Sequence, residues 1–244
     1  MILIIGSTHD DILYFESVMT NRKEETIYNK FKIEQGNIFN QEVTLVYDTY
    51  TSYTSLLITN YLIEKYFVVL VFVVGKCVGF SSDVSSGDIC ISKRTIIGDV
   101  DQVKEANVKL GQIPNFPKSF ESSEEVIGYI SSTLEKRSFS RYDTCTFISA
   151  NVILDTEDRL SKIMMDNYVL GHKNKVVFDC ISGGCFLAAN IHDIPIVAVK
   201  VVEKMINEPN TADAYIEVLK QYSNVGRSIV TCIGDIGRND IIKE

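Results

Sequence analysis

The side chains able to do chemistry gather just after short apolar runs. Gly6-Ser7-Thr8-His9-Asp10-Asp11 follows the run 2–5 and offers one imidazole and two carboxylates. Such a set could exchange protons with a ligand. Asp is also favoured at the start of a helix, where it caps free N–H groups, so a purely structural role is open as well. Gly75-Lys76-Cys77-Val78-Gly79-Phe80 ends the most hydrophobic stretch of the chain. Its glycines let backbone approach a ligand closely, and Lys76 could meet an anion or pair with a neighbouring carboxylate. Phe178-Asp179-Cys180-Ile181-Ser182-Gly183-Gly184 opens a helical stretch. A helix N-terminus attracts polar oxygens, but the small residues could equally let the helix pack close to the sheet. No His lies near Asp179 and Cys180 in sequence, so they do not read as a nucleophile with its base.

Other chemistries are disfavoured. The three histidines, His9, His172 and His192, lack metal-ligand spacing, so no metal is expected. No Gly-x-Gly-x-x-Gly, phosphate-cradling Gly-x-x-x-x-Gly-Lys or Gly-x-Ser-x-Gly occurs, and no cofactor is expected. A net charge of −8 argues against a nucleic-acid surface. The six cysteines include no Cys-x-x-Cys pair and lie mostly in apolar runs, which points to free thiols in a reducing compartment, hence the cytoplasm. The first residues are too short and lack the basic start of a signal peptide. The longest apolar run, 67–74, is too short to span a bilayer, so no membrane is expected.

The elements that would position these groups alternate. Strands are expected at 2–5, 43–47, 68–74, 88–92, 144–148, 176–178 and 196–202, each nearly continuous in Val, Ile and Leu. That pattern suits strands covered on both faces. Helices are expected at 53–66, 124–136, 156–166, 182–190 and 212–233. A turn is expected at 36–40, and Pro114 and Pro117 bracket an extended loop. With no linker or repeat, residues 1–244 read as one α/β domain with helices on both faces of a sheet. Ligands of such sheets sit at the carboxyl ends of the strands, where these loops lie.

Ile4-Ile5-Gly6 has an acidic pair five residues on, and Gly87-Asp88-Ile89-Cys90-Ile91-Ser92 follows further along. Then come Asp99-Val100-Asp101, Gly111-Gln112-Ile113-Pro114-Asn115-Phe116-Pro117, and Asp193-Ile194-Pro195-Ile196-Val197-Ala198-Val199-Lys200. In this order the pieces resemble the purine nucleoside phosphorylase/uridine phosphorylase superfamily. Within it, the chain is similar to the 5′-methylthioadenosine/S-adenosylhomocysteine nucleosidases. The resemblance runs through nearly the whole chain. It implies a three-layer α/β/α fold with a central mixed sheet partly closed into a barrel. It also implies a homodimer, with the loop from Gly111 to Pro117 reaching towards the neighbouring subunit.

The family reaction cleaves the bond between purine N9 and ribose C1′. It needs an acid at N7, a carboxylate to activate water, and a carboxylate on the ribose hydroxyls. The resemblance implies Asp11 as the base, one methylene shorter than the family's Glu. The family's Val-Glu-Met-Glu ribose element becomes Phe178-Asp179-Cys180-Ile181, so the second Glu falls on Ile181. The family's Ser-Asp acid pair becomes Glu203-Lys204. The purine-stacking Phe falls on Ile153, beside Leu154. The Ser-Gly-Ile-Gly loop becomes Asp48-Thr49-Tyr50-Thr51, and Gly-Ser-Ala-Gly-Gly becomes residues 75–79, with Lys76 inside it. No phosphate-binding Arg is evident in the aligned loops, which leans against a phosphorylase. The scaffold implies a purine nucleoside or base as ligand, with the usual cleavage weak or lost. The alternative is an active hydrolytic N-glycosidase using Asp11 as base and Glu203 as purine-side acid. Lys204 separates the readings: pointing inward it would favour an oxo-purine, and pointing outward it would leave the place to Glu203.

Overall fold

A computed structural model describes residues 1–80, 83–136, 141–152, 175–209 and 211–239. The first half runs β1 (Ile2–Ile5), a 3₁₀ turn (His9–Asp11), α1 (Leu13–Val18), β2 (Thr20–Ile27), β3 (Phe31–Ile38), β4 (Gln41–Val46), α2 (Ser52–Lys65) and β5 (Leu70–Gly79). The second half runs β6 (Ile89–Ile97), α3 (Val103–Ala106), β7 (Phe120–Glu121), α4 (Glu124–Lys136), β8 (Tyr142–Ser149), β9 (Val176–Asp179), α5 (Ser182–Ile191), β10 (Ile196–Met205) and α6 (Ala212–Asn239).

Among the described residues one mixed sheet holds all ten strands, and part of it closes on itself. The order β10-β6-β8-β9-β5 returns to β10 through a parallel β5–β10 ladder, making a five-stranded barrel. β1, β4, β3 and β2 extend the sheet beyond β5. Alternation along the buried strands serves two faces. Leu3 and Ile5 of β1 pack with Ile58 and Leu62 of α2 and Phe186 of α5. Ile2 and Ile4 pack with Ile130 of α4 and Ile229 of α6. The three-layer architecture expected from the apolar runs is therefore present, with the barrel at its centre.

Where the structure differs from the sequence reading, local chemistry explains it. The hairpin β2–β3 was not expected, because β2 reads Thr-Asn-Arg-Lys-Glu-Glu-Thr-Ile and exposes every residue but the last. The turn placed at 36–40 is narrower, since Gly36 lies inside β3 opposite Val43 of β4. The last helix extends to Asn239 rather than stopping at 233. The helix expected at 156–166 lies outside the described residues. Helix α2 begins at a capping box in which Thr51 Oγ1 accepts from the Thr54 amide and Thr54 Oγ1 accepts from the Thr51 amide.

The small residues at the start of α5 let two helices touch, and not only helix and sheet. A Cβ added at Gly184 would stand 2.0 Å from the Ser52 carbonyl oxygen of α2, a backbone atom that has nowhere to go. On α4, by contrast, a Cβ at Gly128 meets nothing within 4 Å. Opposite outcomes are expected in urea denaturation. Gly184→Ala should destabilise by about 1–3 kcal/mol or more through overpacking. Gly128→Ala should stabilise by roughly 0.5–1 kcal/mol, because a helical glycine loses the most chain entropy on folding.

Candidate functional site

A cavity of about 220 Å³ opens where β1, β5, β9 and β10 end. Ser7, Asp11 and Tyr50 line one side. Lys76, Cys77 and Val78 come from β5, Phe178, Asp179 and Cys180 from β9 and its end, and Glu203 from β10. Phe80 holds the Phe178 ring edge-to-face, with centroids 5.9 Å apart, so the apolar wall is braced.

Asp11 is buried and tightly held. Its Oδ2 accepts from the backbone N–H groups of Ser7 at 2.8 Å and Thr8 at 2.9 Å. Its Oδ1 accepts from the Tyr222 hydroxyl of α6 at 2.6 Å. The helix-start role and the cavity-lining role considered for Asp11 thus coincide in one carboxylate. Burial first, and the Asp11 charge second, push the Tyr222 phenol far above its ordinary range, so it stays a donor. Gly75 is the floor beneath this group. Its φ of +123° suits glycine, and a Cβ there would lie 2.7 Å from Asp11 Oδ2.

One ion pair lies in the lining, and a second reaches from it into the core. Lys76 Nζ lies 2.8 Å from Glu203 Oε1, with the side chains 31% and 19% exposed. The Lys76 ammonium also sits 5.6 Å from the centre of the Tyr215 ring. Glu203 reaches the cavity because the β10–β5 register jumps at that point: Val202 faces Cys77, and Lys204 faces Val78. Glu203 is the extra residue of a bulge, and bulges re-aim side chains. Lys204 is not part of the lining.

The second pair lies deeper. Lys200 Nζ is 2.7 Å from Asp179 Oδ2, with the side chains 0% and 1% exposed. The contact is one of charge; its angle is poor for a hydrogen bond, and Nζ has no aligned partner among the described residues. Burial is the largest single influence and pulls the ammonium towards neutrality, but the contact with Asp179 and the more distant charge of Asp11 together outweigh it and the net shift is upward. Asp179 Oδ2 also accepts from the backbone N–H of Ser182 at 3.1 Å and from its hydroxyl, tying the pair to the start of α5. Asp179 Oδ1 is buried with no hydrogen-bond partner among the described residues. Beside it, the Cys180 thiol is pushed up by burial and by the Asp179 charge, so it is a poor nucleophile.

Of the residues named from sequence, Asp11, Lys76, Phe178, Asp179, Cys180 and Glu203 meet in this one cavity. Ile181 is buried at the start of α5, outside the lining. Ile153 and Leu154 lie outside the described residues. In the loop 48–51, Thr49 is buried and donates to the Gly6 carbonyl at 2.8 Å. Nothing in the sequence points to Tyr222, which is 211 positions from Asp11. Lys200 carried a signal, since a lysine inside an apolar strand needs a counter-charge. Away from the cavity, the fold brings His9, Glu16 and Glu34 close enough to hold a metal, within 4.8 Å. The cluster already has a cation of its own, because the Arg22 guanidinium donates to Glu34.

The likeness of the chain to known proteins agrees with this geometry. No family model matches. The nucleosidase for 5′-methylthioadenosine and S-adenosylhomocysteine of Staphylococcus haemolyticus is 26% identical over 140 residues. That match spans 57% of this chain and only 60% of the relative. The corresponding nucleosidase of Neisseria meningitidis, solved with methylthio-immucillin-A, superposes at a TM-score of 0.86 with 15% identity, covering 96% of this chain and 98% of that one. That of Colwellia psychrerythraea, solved with adenine, gives 0.82 with 18% identity, covering 96% and 94%. The fold is thus that of the nucleoside phosphorylases. Over the matched stretch its sequence is similar to the methylthioadenosine/S-adenosylhomocysteine nucleosidases, and the chain spans about three fifths of the length of the Staphylococcus haemolyticus relative.

The deep pair gives a direct test. Lys200→Met would strand the Asp179 carboxylate and should cost about 3–5 kcal/mol in urea denaturation. Adding Asp179→Asn, which keeps an acceptor for Ser182 but removes the charge, should recover much of that loss. An additive double variant would show that the two charges do not depend on each other.

Proposed function

We propose that the cavity binds a purine nucleoside or its base, and that cleavage of methylthioadenosine or S-adenosylhomocysteine is weak or lost. One observation carries this reading: each carboxylate of the cavity is already engaged. Asp11 takes three hydrogen bonds, Glu203 pairs with Lys76, and Asp179 pairs with Lys200. A base that must take a proton from water competes here with the Tyr222 hydroxyl for the same oxygen. The position where the family has its ribose-gripping carboxylate is the buried, apolar Ile181.

A second reading keeps activity, as a hydrolytic N-glycosidase with a rearranged site. It is favoured by the convergence of Asp11 and Glu203 on one cavity, and by the partnerless Asp179 Oδ1, which can accept from a sugar hydroxyl. In either reading residues 1–244 act as one domain, because strands from both ends share one sheet. A second copy would dock through the loop from Gly111 to Pro117, which Gln112 braces by donating to the Phe116 carbonyl at 2.9 Å. The six unpaired cysteines suit the cytoplasm, and no helix among the described residues is long and apolar enough to cross a membrane.

Incubation with methylthioadenosine or S-adenosylhomocysteine should release adenine, followed chromatographically, far more slowly than the ~10 per second usual for enzymes. Turnover near that figure would overturn the first reading. Asp11→Asn should remove any residual release while the circular dichroism spectrum is kept. The new amide can donate to the Tyr222 oxygen while its carbonyl still accepts from Ser7 and Thr8. Unchanged release would take Asp11 out of the mechanism.

A further inference from the structure

We propose that Lys76 is the residue that hydrogen-bonds N7 of a bound purine, with Glu203 beside it receiving the exocyclic amine. The inference rests on the reading that the cavity takes a purine, and adds which side chains read the base. It moves the N7 contact from a carboxylic acid to an ammonium.

The charge states decide the assignment. N7 is an acceptor, so its partner must donate. In an ion pair Glu203 is ionised, and an ionised carboxylate only accepts. Lys76 has three N–H groups and spends one on Glu203 at 2.8 Å. The others are free to turn into the cavity that both side chains line. The lysine is also held in place, by Glu203 on one side and by the face of Tyr215 on the other. Tyr215 is itself fixed through its hydroxyl, which donates to Asp10 at 2.8 Å. The apolar wall of Val78 and Phe178 offers a surface for the flat ring.

The pair also reads the edge of the base. Adenine presents an acceptor, N7, beside a donor, the 6-amino group, whereas a 6-oxopurine presents two acceptors. A donor beside an acceptor, from neighbouring strands β5 and β10, matches the first and sets O6 against a carboxylate in the second. Lys204 would have favoured an oxo-purine from inside the cavity; it is not in the lining. During cleavage the electron pair of the C1′–N9 bond moves onto the ring. A fixed positive charge at N7 gains strength as that happens, which is the useful sense for catalysis.

The test compares adenine with 7-deazaadenine, in which a C–H replaces N7, by calorimetric titration of the wild-type chain, Lys76→Met and Lys76→Arg. A hydrogen bond to a charged donor predicts that wild type prefers adenine by about 10-fold or more. Lys76→Met should bind the two bases alike, and Lys76→Arg, which keeps a charged donor, should restore part of the preference. Hypoxanthine should bind wild type more weakly than adenine. Equal binding of adenine and 7-deazaadenine by wild type, or an undiminished preference in Lys76→Met, overturns the assignment while leaving a purine site intact. Failure of wild type to bind any of the three bases overturns both the assignment and the reading beneath it.

Discussion

A lysine with no exposed atom sits in a strand of the barrel, and one aspartate answers its charge. Removing an ammonium from water costs several kcal/mol, and only a close counter-charge offsets it. Much of the site follows from meeting that demand. β9 is short, pairing with β5 at only two positions and with β8 at four. The charge contact adds a third tie, from β9 to β10. Because Asp179 also receives the Ser182 hydroxyl and N–H, the same contact sets where α5 begins. Phe178 and Cys180, either side of Asp179, are thereby aimed at the cavity.

The barrel imposes the second constraint. Closing five strands requires local bends, and the bulge between Val202 and Lys204 supplies one at the rim. Its chemical effect is to exchange neighbours. Counting residues from Pro195 puts Lys204 where the family has an acid. Side chains along a strand alternate in direction, so one extra residue reverses which of two neighbours faces inward. Glu203 faces the cavity and meets Lys76 of the adjacent strand. The site carries an ion pair where simple counting gave a lone lysine.

How far the sequence could be read follows from burial. β1, β4, β5, β9 and β10 were legible because strands covered on both faces must be apolar throughout. β2 was not, since it is charged and exposed and is held by its ladder to β3. The loops that form the cavity were legible from their place after apolar runs, and six of the candidate site residues, Asp11, Lys76, Phe178, Asp179, Cys180 and Glu203, do line it. Tyr222 was not legible, because a contact across 211 residues leaves no local pattern. Nor was the pairing of Lys76 with Glu203, which depends on strand order and on a bulge that no composition reveals.

These features bear on what a ligand would gain. Most polar groups in the cavity have partners before any ligand arrives, so new bonds to Asp11 or Glu203 replace old ones and add little net energy. Asp179 Oδ1 is different. A buried acceptor without a partner carries a penalty of about 1–3 kcal/mol, and a ligand hydroxyl that satisfies it recovers that amount. Lys76 is different in another way, because it has N–H groups to spare and is already held in position. Affinity should therefore concentrate at two points, a hydroxyl donor at Asp179 and an acceptor at Lys76. On the reading proposed above, the hydroxyl would belong to a sugar and the acceptor to a purine ring. On that reading the cavity would hold a nucleoside at both ends while Asp11, the proposed base, stays tied to Tyr222. Binding and cleavage are then governed by different residues, and a chain of this fold can keep the first while giving up much of the second.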